Sequence, residues 1–268
     1  MVAVDASRVH RAARWLVRQH LQRIASRPMP RGLAPSGIDE AYAVQDAFVS
    51  LKARHCGGVV GHKIALTTPR MRAMVGLDAP LAGRLHARQV VRGPASVRAV
   101  DYGRLLVEFE IAAQMATDLP VQSAPYTIDQ LSRAVGAVMP ALELADDRGA
   151  DYATLSARGP ELAADNAWNE GAVLGAAKTD WRGIDFAEVT GIAYVNGEIV
   201  GEGGGADTMG HPFAALAWVA NHLARRGQRL RSGDIVITGS LVTSKFPQAG
   251  DRIRFEAGAL GAVELQVS

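Results

Sequence analysis

The stretch GRLLVEFEIAAQM, residues 103–115, sets two carboxylates, Glu108 and Glu110, around Phe109 in an otherwise apolar run. It reads as a strand, on which residues two apart point the same way. Glu108 and Glu110 then share one face, and Phe109 enters the other. Like charges this close repel, so either one takes a proton or a cation sits between them. A hard divalent cation such as Mg²⁺ suits the pair, because it prefers oxygen ligands and keeps several waters. The pair taken alone fits a solvent-exposed edge strand equally well. A third carboxylate shifts the balance toward the cation: Glu143 lies between Leu142 and Leu144 in MPALELADD (139–147), a second apolar strand-like segment. Asp146 and Asp147 stand where that strand should end and are expected to be solvated turn residues.

Lys63 is the next unusual residue. The chain has four lysines (Lys52, Lys63, Lys178 and Lys245) among 29 basic residues, and Lys63 sits inside the apolar GHKIAL. An inward lysine can pair with a carboxylate or carry a proton. His62 is a weaker signal, and His211, just before Pro212, reads as structural. GEGGGAD (201–207) lacks the spacing and lysine of a phosphate loop.

Around these residues the chain alternates helix and strand signals. Val9, Ala13, Leu16, Val17, Leu21 and Ile24 mark one face of an opening helix, which Pro28 and Pro30 are expected to stop. Ser36 or Asp39 is the expected cap of a second helix ending at Gly57-Gly58. A short helix should start at Pro69 and close on Gly76. The segment 128–147 reads as a helix running into a strand after Pro140, and Asn196-Gly197 as a hairpin turn. Pro212 and Gly227 bracket a further helix. The expected class is α+β: a small N-terminal helical and mixed domain (1–90) and a strand-rich C-terminal body (91–268).

Composition narrows the function. A net charge of +2 with scattered arginines gives no reason to expect nucleic acid, and no apolar run reaches the length of a membrane span. The Arg-rich N-terminus lacks the apolar centre of a signal peptide and reads as an ordinary helix rather than a transit peptide. The single cysteine, Cys56, fits a reducing compartment and a turn rather than a nucleophile, so a cytoplasmic location is expected.

Taken together, AYAVQDAF, GHKIALTTPRM, VEFEIAAQMATDLP, MPALELADDR, ADNAWNEGAVLG, GHPFAALAWVANHLARRG and GDIVITGSL resemble the 2-keto-4-pentenoate hydratase and 4-oxalocrotonate decarboxylase group of the fumarylacetoacetate hydrolase superfamily. The match spans nearly the whole chain, and the E-x-E pair with its later third Glu is the most specific element. The resemblance implies a C-terminal mixed β-roll with outer helices, and assembly as a homo-oligomer. It implies Glu108, Glu110 and Glu143 as ligands of Mg²⁺ or Mn²⁺, and Lys63 as the catalytic lysine. Leu66, Asn166 and Ser240 fall in segments that line the pocket. The expected activity is addition of water to a small 2-hydroxy-2,4-dienoate. Decarboxylation of 2-oxo-3-hexenedioate is the alternative, and a non-catalytic assembly subunit is the reading from another class. Two departures stand out. DAPLAG keeps Asp78 but puts Leu81 where hydratases of the group carry a second Asp, closer to the decarboxylase pattern. Trp168 replaces a small polar residue in ADNAWNEG.

Overall fold

Helix α1 (Ala6–Leu21) starts where the Asp5 side chain accepts the backbone N–H groups of Ser7 and Arg8, in a computed structural model that describes residues 5–268. Val9, Ala13 and Leu16 are buried as expected, but Leu21 is 54% exposed and Ile24 lies beyond the helix end. The helix therefore stops well before Pro28. Helix α2 (Ile38–Cys56) packs Ala41, Tyr42, Phe48 and Val49 inward. Neither Ser36 nor Asp39 caps it. Gly37 holds the cap position, and Ser36 donates its N–H and hydroxyl to Glu40, one turn on.

The remaining elements follow in order: β1 (Val59–Ala65), α3 (Pro69–Met74), β2 (Leu81–His86), β3 (Val90–Arg92), β4 (Ala95–Val97), β5 (Leu105–Met115), α4 (Ile128–Ala134), β6 (Val135–Asp146), α5 (Gly159–Ala164), β7 (Asn169–Leu174), β8 (Thr190–Val195), β9 (Glu198–Gly204), α6 (Pro212–Arg225), β10 (Ile235–Lys245), β11 (Arg252–Ala257) and β12 (Ala262–Val267). The class is α+β. Strand β6 begins at Val135, before Pro140 rather than after it. Val135, Val138 and Met139 already face buried surroundings, and Pro140 sits just outside the residues paired with β7. Thr68 caps α3, Asn196-Gly197 joins β8 to β9, and His211 caps α6 by accepting the Phe213 N–H.

Seven strands form one sheet in the order β2-β1-β10-β5-β6-β7-β3, and five form another in the order β4-β12-β11-β8-β9. The pairing of β1 with β10 is parallel and joins segments distant in sequence, so the strand carrying Lys63 lies two places from β5. Alternation along β5 separates two environments. Val107, Phe109, Ile111 and Ala113 enter the core shared with β11, β12 and α6, where Phe109 meets Phe255 at a centroid distance of 5.6 Å. On the opposite face of β5, Ala112 packs with Leu85, Met139, Ala172 and Ile237 of the neighbouring strands, and a separate cluster gathers α1, α2, α5 and the start of β2. Among the described residues no helix is long and apolar enough to cross a membrane.

Candidate active site

Antiparallel pairing sets Glu108 of β5 directly across from Glu143 of β6, with Glu110 one pleat further along. One oxygen of each carboxylate lies within 4.8 Å of the others. Glu110 and Glu143 are 0% exposed, and Glu108 is half-buried. Each accepts from a neutral donor: Ser244 Oγ to Glu108 at 2.9 Å, the Gly239 N–H to Glu110 at 2.6 Å, and Asn169 Nδ2 to Glu143 at 2.8 Å. Among the described residues this leaves Glu110 Oε1 and Glu143 Oε2 buried without a hydrogen-bond partner. Unpaired buried carboxylate oxygens are costly, and three converging ones form an oxygen-only donor set suited to a hard divalent cation. With no cation, burial pushes both the Glu110 and Glu143 carboxyls up. The neighbouring carboxylates add to this and Lys63 opposes it.

Lys63 reaches the same cluster from β1. It is 2% exposed, and its Nζ lies 3.0 Å from Glu143 Oε1. Burial alone would lower its pKa, but the attraction of Glu143, Glu108 and Glu110 outweighs burial and holds it above the ordinary lysine value. Gly83 lies opposite on β2, and a Cβ there would come within 2.8 Å of Lys63 Cγ, so the lysine stem needs a glycine beside it.

Strand β10 is irregular where it passes the carboxylates. Ser240 Oγ accepts the Phe109 N–H at 2.9 Å and donates to Val242 O at 2.7 Å, bridging that irregularity. Gly239 has φ +99°, and a Cβ on it would meet Thr67 Cγ2 at 2.5 Å. The irregularity turns the Gly239 N–H toward Glu110.

A cavity of about 130 Å³ opens beside the cluster, and Lys63, Glu108, Leu66 and Ser240 lie on its wall. Asn166 does not. Its amide is fully buried and closes both hydrogen bonds on the main chain of Arg84, accepting at 2.7 Å and donating at 3.0 Å. Trp168 does line the cavity. Asn166, Ala167 and Trp168 hold consecutive positive φ values of 54°, 47° and 62°, a conformation disfavoured for residues with side chains. Asp165 and Glu170 flank this turn, one buried and the other half-buried, and both meet His20 of α1 at 2.5 Å. Burial would raise the Glu170 carboxyl, but Lys52 and His20 outweigh it and hold it far below the ordinary range. The start of β7, and with it Asn169, is thereby fixed against Glu143.

Asn169, Ser244 and Gly239 escape a reading of the sequence. Asn169 offers a faint signal as an amide opening an apolar strand; the other two offer none until β10 is placed beside β5. Asp146 and Asp147 correct the expectation of solvated turn residues, since both are buried. Asp146 accepts the N–H groups of Gly103, Arg104 and Arg148, while Asp147 pairs with Arg104 and accepts the Tyr152 hydroxyl at 3.1 Å. Leu81 is 1% exposed, lies in the helical cluster and is absent from the cavity wall, whereas Asp78 is exposed.

Residues 67–268 match the family described as fumarylacetoacetate (FAA) hydrolase, C-terminal. A 2-keto-4-pentenoate hydratase of Burkholderia vietnamiensis is 31% identical over 83% of this chain and 83% of its own. One of Paraburkholderia phymatum is 29% identical over 98% and 99%. In fold, the chain is similar to a 4-oxalocrotonate decarboxylase from Pseudomonas putida G7, complexed with magnesium and adipate. That likeness has a TM-score of 0.90 over 99% of both chains at 24% identity.

Proposed function

Because the chain belongs to the fumarylacetoacetate hydrolase family, we propose that it is a divalent-metal-dependent lyase adding water to a 2-hydroxy-2,4-dienoate to give a 4-hydroxy-2-oxo acid. The observation that carries this reading is the convergence of Glu108, Glu110 and Glu143 beside Lys63, with two buried carboxylate oxygens unpaired. The names of the hydratase relatives support it. Glu108, Glu110 and Glu143 would hold Mg²⁺ or Mn²⁺, which when bound supplies Lewis acidity toward the C1 carboxylate and C2 oxygen of a 2-oxo acid.

The chain's own residues supply the rest. Conversion of the dienol to the conjugated ketone removes a proton from the 2-hydroxyl and places one on C5. Lys63, kept protonated by the carboxylates around it, is the donor on this wall. Addition of water then puts hydroxyl on C4 and a proton on C3; the same Nζ can deliver it, recharged by the proton that left the 2-hydroxyl, and the proton lost by the adding water restores the lysine. Asn169 and Ser244 hold Glu143 and Glu108 in place through both stages.

A second reading, decarboxylation of 2-oxo-3-hexenedioate, is supported by the names of a curated relative and of the structural relative. A non-catalytic assembly subunit has no need of three converging carboxylates, two of them fully buried. Homo-oligomeric assembly and a cytoplasmic location belong to the same proposal. The test is an ultraviolet assay with Mg²⁺ or Mn²⁺ that offers 2-hydroxypenta-2,4-dienoate and 2-oxo-3-hexenedioate separately and measures CO₂. Metal-dependent loss of the dienoate without CO₂ supports hydration. CO₂ release from the diacid alone replaces it with the second reading, and inertness to both rejects both.

A further inference from the structure

The charged residues on the cavity wall belong to the catalytic cluster. Among the described residues, Lys63 and Glu108 are the ionisable ones apart from the Tyr152 phenol; the remainder of the wall is apolar, backbone or neutral hydroxyl. A substrate held by its C1 carboxylate and C2 oxygen near the three glutamates therefore extends its other end against Met71, Met74, Val75, Leu155, Leu162 and Trp168.

Three nearby arginines are already committed, and Arg70 of α3 is exposed and off the cavity wall. Arg72 donates to the carbonyls of Leu66 and Thr67 at 3.2 and 3.1 Å, Arg104 is held by Asp147, and Arg158 by Glu161 at 3.1 Å. A second carboxylate entering this end would lose its water and gain no countercharge, which strongly opposes binding. An apolar group meets the reverse situation. No residue of α3 is fully buried, and Met71 and Met74, three apart on one side of that short helix, present half-exposed thioether chains to the cavity. Methionine adapts to irregular apolar shapes. Trp168 closes the wall with its ring edge against Tyr152 at a centroid distance of 6.0 Å.

Resting on the hydratase reading of this site, we propose that the substrate is a monocarboxylic 2-hydroxy-2,4-dienoate bearing an uncharged apolar substituent at C5. Met71, Met74 and Trp168 are its specificity-determining contacts. The short unsubstituted dienoate would leave this surface uncovered, and a diacid would place a charge on it.

Binding of unreactive 2-oxo acids tests the tail independently of turnover. With Mn²⁺ present, calorimetry would compare 2-oxopentanoate, 2-oxooctanoate and 2-oxohexanedioate. The expected order places 2-oxooctanoate on the order of 10-fold or more tighter than 2-oxopentanoate, with the diacid weakest. Trp168→Ala should remove most of the gain for the longer chain. Met74→Arg, checked by melting curve, should bring the diacid up relative to 2-oxooctanoate. A diacid bound as tightly as 2-oxooctanoate by the unmodified protein, or no gain from the longer chain, overturns the proposal. Turnover of 2-hydroxypenta-2,4-dienoate and of its 5-alkyl homologue, both measured in parallel, reports on the hydratase reading alone. Hydration without tail preference rejects only the substrate class, whereas tail preference without hydration rejects the reaction while the apolar subsite stands.

Discussion

Replacing Glu110 by Gln separates the cost of the carboxylate cluster from its use. Two carboxylates at the 4.8 Å limit of the cluster would, if both ionised, repel by about 3.5 kcal/mol at an effective dielectric constant of about 20, a cost that proton uptake relieves in part when no cation is bound. Glu110 faces two such partners, and Lys63, 3.0 Å from Glu143, offsets only part of the repulsion. A glutamine keeps the volume and can still accept the Gly239 N–H, so the metal-free variant should be at least as stable as the parent, by up to about 2 kcal/mol. The same change removes one of three anionic ligands. At a cation concentration of about 100 times Kd, the parent gains about 2.7 kcal/mol from binding. For a chain of this size that corresponds to a rise in Tm of about 5 °C or more. Melting curves with and without Mg²⁺ or Mn²⁺, for parent and variant, measure both quantities. The parent should shift with the cation, and Glu110→Gln should shift almost not at all. An undiminished shift in the variant, or a metal-free variant several kcal/mol less stable, would refute that expectation.

Lys63→Met should lower kcat by roughly 10²–10⁴-fold while the protein still melts cooperatively, and a near-normal rate would reduce the lysine to an ion-pair partner of Glu143. Leu81→Asp should destabilise the protein by about 3 kcal/mol or more, because the side chain is 1% exposed among apolar neighbours, without accelerating hydration. A stable variant with faster water addition would show that this position does reach the substrate. His222, stacked on Trp218 and tilted against Tyr42, has its pKa pushed down to about 3 by burial and then by Arg226, Arg225 and Arg84. Its folded value lies below its unfolded one, so it costs nothing above about pH 6.5 and removes up to about 1.4 kcal/mol per pH unit as the pH falls toward 3. His222→Phe should flatten chemical-denaturation stability between pH 6.5 and 5 relative to the parent, and identical slopes would contradict the assignment.

What could be read from the sequence was local in period or spacing. Two glutamates around a phenylalanine need only a strand to share a face, and Pro69 and Asn196-Gly197 mark their elements by backbone chemistry alone. What escaped depends on segments far apart in the chain. Asp146 and Asp147 look like turn residues until Gly103, Arg104 and Arg148 bring donors to them. Ser36 looks like a cap until Glu40 takes its hydroxyl. Asn166 sits in a pocket-lining segment, yet a run of three left-handed residues without glycine directs its amide to β2 and leaves Trp168 on the wall. Such a run has no sequence signature, because surrounding contacts rather than local preference sustain it.

The direct pairing of Glu108 with Glu143 also bears on how the sheet assembles. A slip of one residue between β5 and β6 would exchange the faces of β5 and drive Glu108 and Glu110 into the space filled by Phe255, Ile253 and Leu265. The same slip would turn Phe109 and Ile111 out of that core. Each misplaced carboxylate would cost several kcal/mol, with no lysine nearby to compensate. The carboxylates proposed to hold the cation thus also act as a check on strand alignment during folding, rejecting the mispaired ladder before any substrate is present.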